Sequence, residues 1–240
     1  MKAMIFAAGL GTRFKPWTDQ HPKALARING KSLLHRNIEY LQQYGIRDVV
    51  VNVHHFADQI IAAVNESTGW GSTIHISDER DEVLETGGGL LKAAPLLGNE
   101  RFITCNVDIL TDLDISTLIA FHETHRPLIS FGVTDRPSSR QFLFDNTNQL
   151  CGWKNNQTGE VKMARTKHDL TPRSYSCVAV FEPEVFSLMR SHDFSGKFSL
   201  TDVYLRLATE HSILGFDHSG DRLIDVGKPE AVEKAQALFP

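Results

Sequence analysis

The chain contains only three cysteines, Cys105, Cys151 and Cys177. The number is odd and no two are close in sequence, so spacing suggests neither a disulfide framework nor a zinc site. Cys105 and Cys177 lie in apolar runs and read as buried small residues. An excess of positive charge is also missing. The 25 basic residues are outnumbered by 29 acidic ones, for a formal charge of −4, which argues against a generic nucleic-acid surface. No apolar stretch approaches the length of a membrane span. The N-terminal run "AMIFAA" is shorter than the apolar segment of a signal peptide, and Gly9, Gly11 and Arg13 break up the residues after it. The expectation is a cytoplasmic protein in a reducing compartment, with no nucleic acid or membrane as partner. Internal repeats, low-complexity tracts and linkers are absent as well.

Two familiar phosphate-binding signatures are missing too. No glycine is followed by the spacing of the P-loop, G-x4-G-K-[ST]. The dinucleotide fingerprint G-x-G-x-x-G would need glycine where Phe14 stands. The acidic Asp48 begins the second strand candidate instead of ending it, so NAD binding and a dehydrogenase are disfavoured.

The chain does have ordinary globular composition: 240 residues, 41% hydrophobic and 22% charged, enough for one sizeable core with a small appendage. Short apolar runs alternate with helical patterns. "KAMIFAA", "RDVVVNV", "STIHIS", "RFITCNV" and "LISFGVT" read as strands. "SLLHRNIEYLQQYG", "FADQIIAAVNES", "GLLKAAPLLG" and "DISTLIAFHETH" read as helices between them. That alternation predicts βαβ units and a mostly parallel sheet covered on both faces, an α/β fold. From about residue 136 the rhythm changes. "SSRQFLFDNTNQLCGW" reads as a hairpin, "NNQTGEVK" as a second turn and "MARTKHDLTPR" as a loop. "YSCVAVFEP" returns to strand, helices come next near 183–192 and 199–211, and "HSILGFDH" and "RLIDVG" are extended. "PEAVEKAQALF" closes the chain as a helix with Pro229 at its start. One domain is expected, its second half forming a lobe on the edge of the sheet.

In such sheets ligands gather at the carboxyl ends of the strands. "AAGLGTR" lies at one such end. Gly9 and Gly11 free the backbone to approach a ligand, and amide groups pointing inward make an anion nest. Thr12 adds a hydroxyl, while Arg13 and Lys23 add full positive charge, a set suited to a polyphosphate. A bare G-x-G would more simply be a structural turn with a solvated Arg13.

The longer string "AAGLGTRFKPWTDQHPKAL" resembles the signature of sugar-1-phosphate nucleotidyltransferases, AAG-x-G-T-R-x-x-P-x-T-x-x-x-P-K-x-L. It matches at Ala7, Ala8, Gly9, Gly11, Thr12, Arg13, Pro16, Thr18, Pro22, Lys23 and Leu25. "ETGGG" at 85–89, "CNVD" at 105–108 and "IDVGKP" at 224–229 continue the likeness, with Lys228 for the usual threonine. The resemblance implies a nucleotidyltransferase fold with a nucleotide-binding half at about 1–135 and an acceptor-binding half at about 136–240. The implied reaction is NTP + sugar 1-phosphate → NDP-sugar + pyrophosphate, with Mg²⁺ as cofactor.

A sugar 1-phosphate is already an anionic nucleophile near neutral pH. Catalysis then needs charge relief and in-line alignment more than a general base. The resemblance casts Arg13 on the triphosphate and Lys23 on the α- and attacking phosphates. Asp108 and Asp225, both at strand ends, become the Mg²⁺ ligands. Ala8, Gly9, Gly11 and Thr12 cradle the nucleotide, and Thr86, Gly87 and Gly88 place the base against backbone. Glu85 has a lesser claim, as a helix cap. On the acceptor side Arg140, Glu160, Lys162 and Tyr175 are candidates, with Ser176 beside Tyr175. Within the family "LETGGGLLKAAPLLG" looks most like the N-acetylmuramic acid 1-phosphate uridylyltransferases of cell-wall recycling, which implies UTP as the donor. Guanylyltransferases acting on mannose or heptose 1-phosphates carry a similar segment. Choline-phosphate cytidylyltransferases share the opening motif. A non-catalytic module on the same fold would be expected to have lost Arg13, Lys23 or an aspartate, and all are present.

Overall fold

The computed structural model describes residues 1–240. Four strands, β1 (Lys2–Phe6), β4 (Asp48–Val53), β5 (Thr73–Asp78) and β6 (Phe102–Asn106), run parallel in the spatial order β6-β1-β4-β5. The chain between β1 and β4 holds a small hairpin, β2 (Arg27–Ile28) with β3 (Lys31–Ser32), and helix α1 (Leu33–Gln43). Helix α2 (Ala57–Glu66) crosses between the neighbours β4 and β5, and α3 (Glu85–Leu97) carries the chain from β5 back across the sheet to β6, beside β1. Local chemistry sets several boundaries. Ser32 accepts the amide of His35 at the start of α1, and Gly45 turns the chain out of that helix at φ 74°.

Each strand sends alternate residues to opposite faces. Ala3, Ile5, Val49, Val51, Ile103 and Cys105 enter one core, against α1, α2 and α4 (Ile115–His125). Met4, Phe6, Val50 and Phe102 enter the other, against α3, α5 (Val185–Ser191) and α6 (Leu200–Ala208). Burial on both faces is why these strands read as nearly continuous apolar runs.

The second half does more than extend an edge. Strand β12 (Thr171–Phe181) lies antiparallel to β6 on one side and to β8 (Ile129–Thr134) on the other, so it runs through the middle of the sheet. Only the hairpin strands β9 (Arg140–Phe144), β10 (Leu150–Asn155) and β11 (Val161–Met163) form the edge lobe that the change of rhythm predicts. The sheet is therefore mixed. Strand β13 (Ile213–Asp217) is parallel to β8, and a separate two-stranded ladder pairs β7 (Ile109–Thr111) with β14 (Leu223–Asp225). Helix α7 (Ala231–Leu238) closes the chain two residues after Pro229. No helix is long and apolar enough to cross a membrane. Cys177, expected in the core, is only half-buried, whereas Cys151 is fully buried.

Two histidines are buried in hydrogen-bonded networks. His122 meets Ser130 Oγ at 2.9 Å and Glu182 Oε1 at 3.1 Å. His218 meets Ser176 Oγ at 2.6 Å and Asp221 Oδ2 at 3.2 Å. Burial lowers the pKa of both, against the opposing pull of the carboxylates. Both are thus neutral in the fold at a pH where the unfolded chain, titrating near 6.5, already binds protons. Stability is therefore expected to fall as pH drops below about 6.5, by up to about 1.4 kcal/mol per pH unit per histidine. Denaturant midpoints between pH 7.5 and 5.5 measure this. His122→Asn should start lower and slope less; identical slopes in the two proteins would refute the assignment to His122.

Candidate active site

The loop after β1 is held from below by one side chain. Asn52, on the adjacent β4, accepts the amides of Ala7 and Ala8 with Oδ1 at 2.7 and 3.3 Å. Beyond them the amides of Gly9, Leu10 and Gly11 find no acceptor in the protein. They remain available to an anion, as the nest reading requires. Gly11 has φ 61°, and a Cβ there would lie 2.7 Å from Thr18 Cγ2. Thr18 Oγ1 donates to the Gly11 carbonyl at 2.9 Å and locks this turn. A single helical turn, Thr12–Phe14, comes next. Phe14, which rules out the dinucleotide fingerprint, is its buried anchor and leaves Thr12 and Arg13 exposed.

Asp108 lies two residues past the end of β6, and Asp225 ends β14. They are distant in sequence but adjacent in the β7–β14 ladder: Asp225 pairs with Ile109, and Val226 N donates to Asp108 O at 2.8 Å. Lys23 Nζ is ion-paired to Asp108 Oδ2, with both side chains 14% exposed. The Arg13 guanidinium and the Asp225 carboxylate both crowd Gly227, where a Cβ would lie 2.9 Å from Arg13 Nη2 and 2.6 Å from Asp225 Oδ1. Glycine is thus required for the two groups to meet there. A cavity of ≈ 280 Å³ opens beside them, lined by Arg13, Asp225, Gly227, Lys228, Glu230 and Ala231. Burial, and next the charge of Asp108, raise the Asp225 carboxyl; Arg13, Lys23 and Arg136 pull the other way. Three cations and two carboxylates therefore converge at the carboxyl end of the sheet. No cluster of three or more His, Cys, Asp or Glu with metal-ligating geometry occurs, so any cation here rests on the aspartate pair.

A second cavity, ≈ 150 Å³, adjoins the glycine loop and is lined by Phe6, Ala8, Gly9, Asn52, Glu79, Val83, Glu85 and Thr86. Two of its polar residues, Asn52 and Glu79, escaped the sequence reading. Asn52 sits within an apolar strand, and that placement was the available signal. Glu79 is 1% exposed, accepts from Asn52 Nδ2 at 2.7 Å through Oε1, and leaves Oε2 unpartnered. Burial raises its carboxyl pKa.

Gly87 and Gly88 do not line this cavity. Helix α3 begins at Glu85, ahead of the start expected near Gly88, and both glycines are buried within it. Their amides donate to the Phe198 carbonyl at 3.0 and 3.2 Å. A Cβ on Gly87 would lie 2.4 Å from Phe198 Cδ2, and one on Gly88 2.1 Å from Gly196 O. The glycines thus serve the close approach of the 196–198 segment, and Thr86 and Glu85 are what the cavity sees. Gly88→Ala must displace backbone and is expected to cost about 1–3 kcal/mol or more, read as a lower denaturation midpoint. A wild-type midpoint would show that the two segments do not pack this way.

The acceptor candidates are scattered. Glu160 and Lys162 pair with each other at 3.7 Å, and Lys162 also reaches Asp202 at 3.7 Å. Both are exposed, and none of these contacts joins them to the carboxylate pair. Arg140 is exposed at the start of β9. Tyr175 Oη meets Tyr204 Oη at 3.2 Å within an aromatic cluster that includes Phe131 and Phe142. Ser176 faces no pocket. Ser176, His218 and Asp221 stand in the order of a hydrolase triad, but Ser176 is 0% exposed, so the trio ties β12 to the segment after β13 and offers no nucleophile.

A strand–glycine-loop–helical-turn opening, a lysine on one strand-end aspartate and an arginine beside another thus stand together at one end of a mixed α/β sheet. The chain belongs to the nucleotidyl transferase family, whose sequence model matches residues 2–238. N-acetylmuramate alpha-1-phosphate uridylyltransferase of Caulobacter vibrioides is 30% identical over 248 residues, covering 98% of this chain and 95% of that protein. The protein of the same name from Neisseria meningitidis serogroup B is 30% identical over 245 residues, covering 99% and 98%. Mannose-1-phosphate guanylyltransferases match too, one from Arabidopsis thaliana at 32% identity over 58% of this chain and 40% of that protein. Among solved structures, HddC from Yersinia pseudotuberculosis superposes with a TM-score of 0.79 at 22% identity, over 100% of this chain and 99% of that one. The inositol-1-phosphate CTP transferase from T. maritima gives 0.76 at 19%, over 98% and 94%. At these identities the structural likeness speaks to the fold.

Proposed function

We infer that the protein transfers a nucleotidyl group to a sugar 1-phosphate, a reading that its family membership supports. We propose that the donor is UTP and the acceptor N-acetylmuramic acid 1-phosphate, giving a UDP-sugar and pyrophosphate in the cytoplasm for cell-wall recycling. The observation that carries transfer chemistry is the convergence of Lys23 and Arg13 on the Asp108–Asp225 pair beside the open amides of the glycine loop. The choice of substrates rests on the two nearly full-length relatives.

The loop amides and Arg13 hold the β- and γ-phosphates and neutralise the charge that builds on leaving pyrophosphate. Lys23 lies between loop and carboxylates, where it can screen the α-phosphate from the incoming phosphate. Asp108 and Asp225 would hold Mg²⁺. The donor set suits a hard ion, because it is carboxylate oxygen only: the nearby Cys177 thiol is pushed up to about 12 by burial and by Asp108, and so stays protonated. Bound there, the ion would supply positive charge that offsets the repulsion between the two phosphate-bearing substrates. The cavity beside Ala8, Asn52 and Glu79 adjoins the phosphate loop and suits the base. No residue in the site needs to act as a nucleophile or general base. The test is mass-spectrometric identification of the product formed from UTP and N-acetylmuramic acid 1-phosphate. A UDP-sugar with stoichiometric pyrophosphate supports the reading, and unchanged substrates with Mg²⁺ present would refute it.

A further inference from the structure

Arg136 carries no motif in the sequence, yet the fold brings it to the reacting end of the sheet. It lies two residues past the end of β8. Its Nη2 donates to the Tyr175 carbonyl at 3.1 Å, and its own carbonyl accepts from Ser174 Oγ at 2.6 Å. Tyr175 belongs to β12, which lies against β6 with Val178 opposite Cys105. The paired stretch stops there, three residues short of Tyr175 on β12 and of Asp108 beyond β6.

β12 is irregular beside this bond. Its pairing with β8 jumps between Tyr175 and Ala179, and Cys177 within the jump has φ 58°. A non-glycine residue in the left-handed region carries a cost of about 1–3 kcal/mol that the surroundings must offset. The Tyr175 carbonyl that Arg136 bonds stands at the edge of this jump.

The guanidinium is otherwise underused. It is half-buried, its Nε is buried with no partner, and no carboxylate neutralises it at ion-pair distance. Its charge acts on Asp225 and on Cys177, consistent with the register. A half-buried, unpaired arginine anchored by a backbone carbonyl is a preorganised anion site. Arg13 and Lys23 approach the carboxylates from the glycine loop, and Arg136 from the β8–β12 side, which the glycine loop does not occupy.

We propose that Arg136 binds the 1-phosphate of the acceptor and aligns it for attack. The assignment rests on the nucleotidyl-transfer reading above, though not on which sugar or base is used. The phosphate is common to every candidate acceptor, whereas a lactyl carboxylate belongs to N-acetylmuramic acid alone, and this difference separates the two anions Arg136 could meet.

Arg136→Gln and Arg136→Lys are to be compared with the wild type in the acceptor KM, the NTP KM and kcat. The acceptors are N-acetylmuramic acid, N-acetylglucosamine and mannose 1-phosphates, and whichever the wild type uses are read. Arg136→Gln should raise the acceptor KM about ten- to a hundred-fold while the NTP KM stays within about two-fold. Arg136→Lys should recover part of the loss, because one ammonium cannot serve both the Tyr175 carbonyl and a phosphate as a planar guanidinium does. If Arg136→Gln does not fold, the raised acceptor KM must appear in Arg136→Lys. The rise should be the same for sugars with and without a carboxylate. An unchanged acceptor KM, a parallel rise in both KM values, or a loss confined to the carboxylated sugar would overturn the assignment. A switch of preferred sugar in the wild type would overturn the uridylyltransferase reading and leave the Arg136 comparison intact.

Discussion

Asp225→Asn is expected to fold normally and to lose about 10²–10³-fold in kcat, the scale of removing one electrostatic partner of the transition state. The substitution keeps shape and removes one charge from the ion's binding pair. Asp108→Asn should lose as much activity, but the two variants should part company in stability. Lys23 and Asp108 are each other's ion-pair partners and only 14% exposed, so Asp108→Asn leaves a largely buried ammonium unmatched. Asp225 stands beside Asp108, and burial raises its carboxyl pKa, so its ionised form costs folding energy at neutral pH. Asp225→Asn should therefore be as stable as the wild type or more so, and Asp108→Asn less stable. Melting curves without added metal read the difference. Equal destabilisation would mean that Asp225 has a counter-ion as close as Lys23 is to Asp108. Full activity of either variant at limiting Mg²⁺ would remove that aspartate from the metal site.

The second large effect falls on the two cations of the opening loop. Arg13→Ala should lower kcat by about 10²-fold or more, with little effect on stability, because Arg13 is exposed. Lys23→Ala should lose at least as much activity and should also cost stability, since it strips Asp108 of its partner. Added Mg²⁺ should then stabilise Lys23→Ala more than the wild type, as the ion takes over the work of the lysine. A thermal-shift titration with MgCl₂ alone measures this. No larger shift in Lys23→Ala would mean that Asp108 does not receive the metal.

The opening loop is legible because its residues are contiguous. Glycine at Gly11 and cations at Arg13 and Lys23 are written within a short stretch, whereas the anchoring of the turn by Phe14 is shown by the fold alone. The strand-end aspartates were legible singly, and the β7–β14 ladder that makes them neighbours was not, since short strands with no alternation leave no pattern to read. The acceptor side was read least well. Lys162 and Arg140 were chosen for charge in an irregular segment, and β11 turns Lys162 toward Asp202. Arg136 gave no signal, because its importance depends on a register jump in β12, a strand that does not lie beside it in sequence. Gly87 and Gly88 read in the sequence as room for a base against backbone. What needs the room is Phe198 and Gly196, more than a hundred residues further along the chain.

The most direct test of the central claim is kcat/KM for pyrophosphate release with each of the four NTPs, crossed with N-acetylmuramic acid, N-acetylglucosamine, mannose and heptose 1-phosphates. The account predicts that UTP with N-acetylmuramic acid 1-phosphate gives the highest value, and that release requires both substrates and Mg²⁺. A clear preference for GTP with a mannose- or heptose-type phosphate would contradict the substrates proposed, and no release from any pair would contradict the chemistry itself.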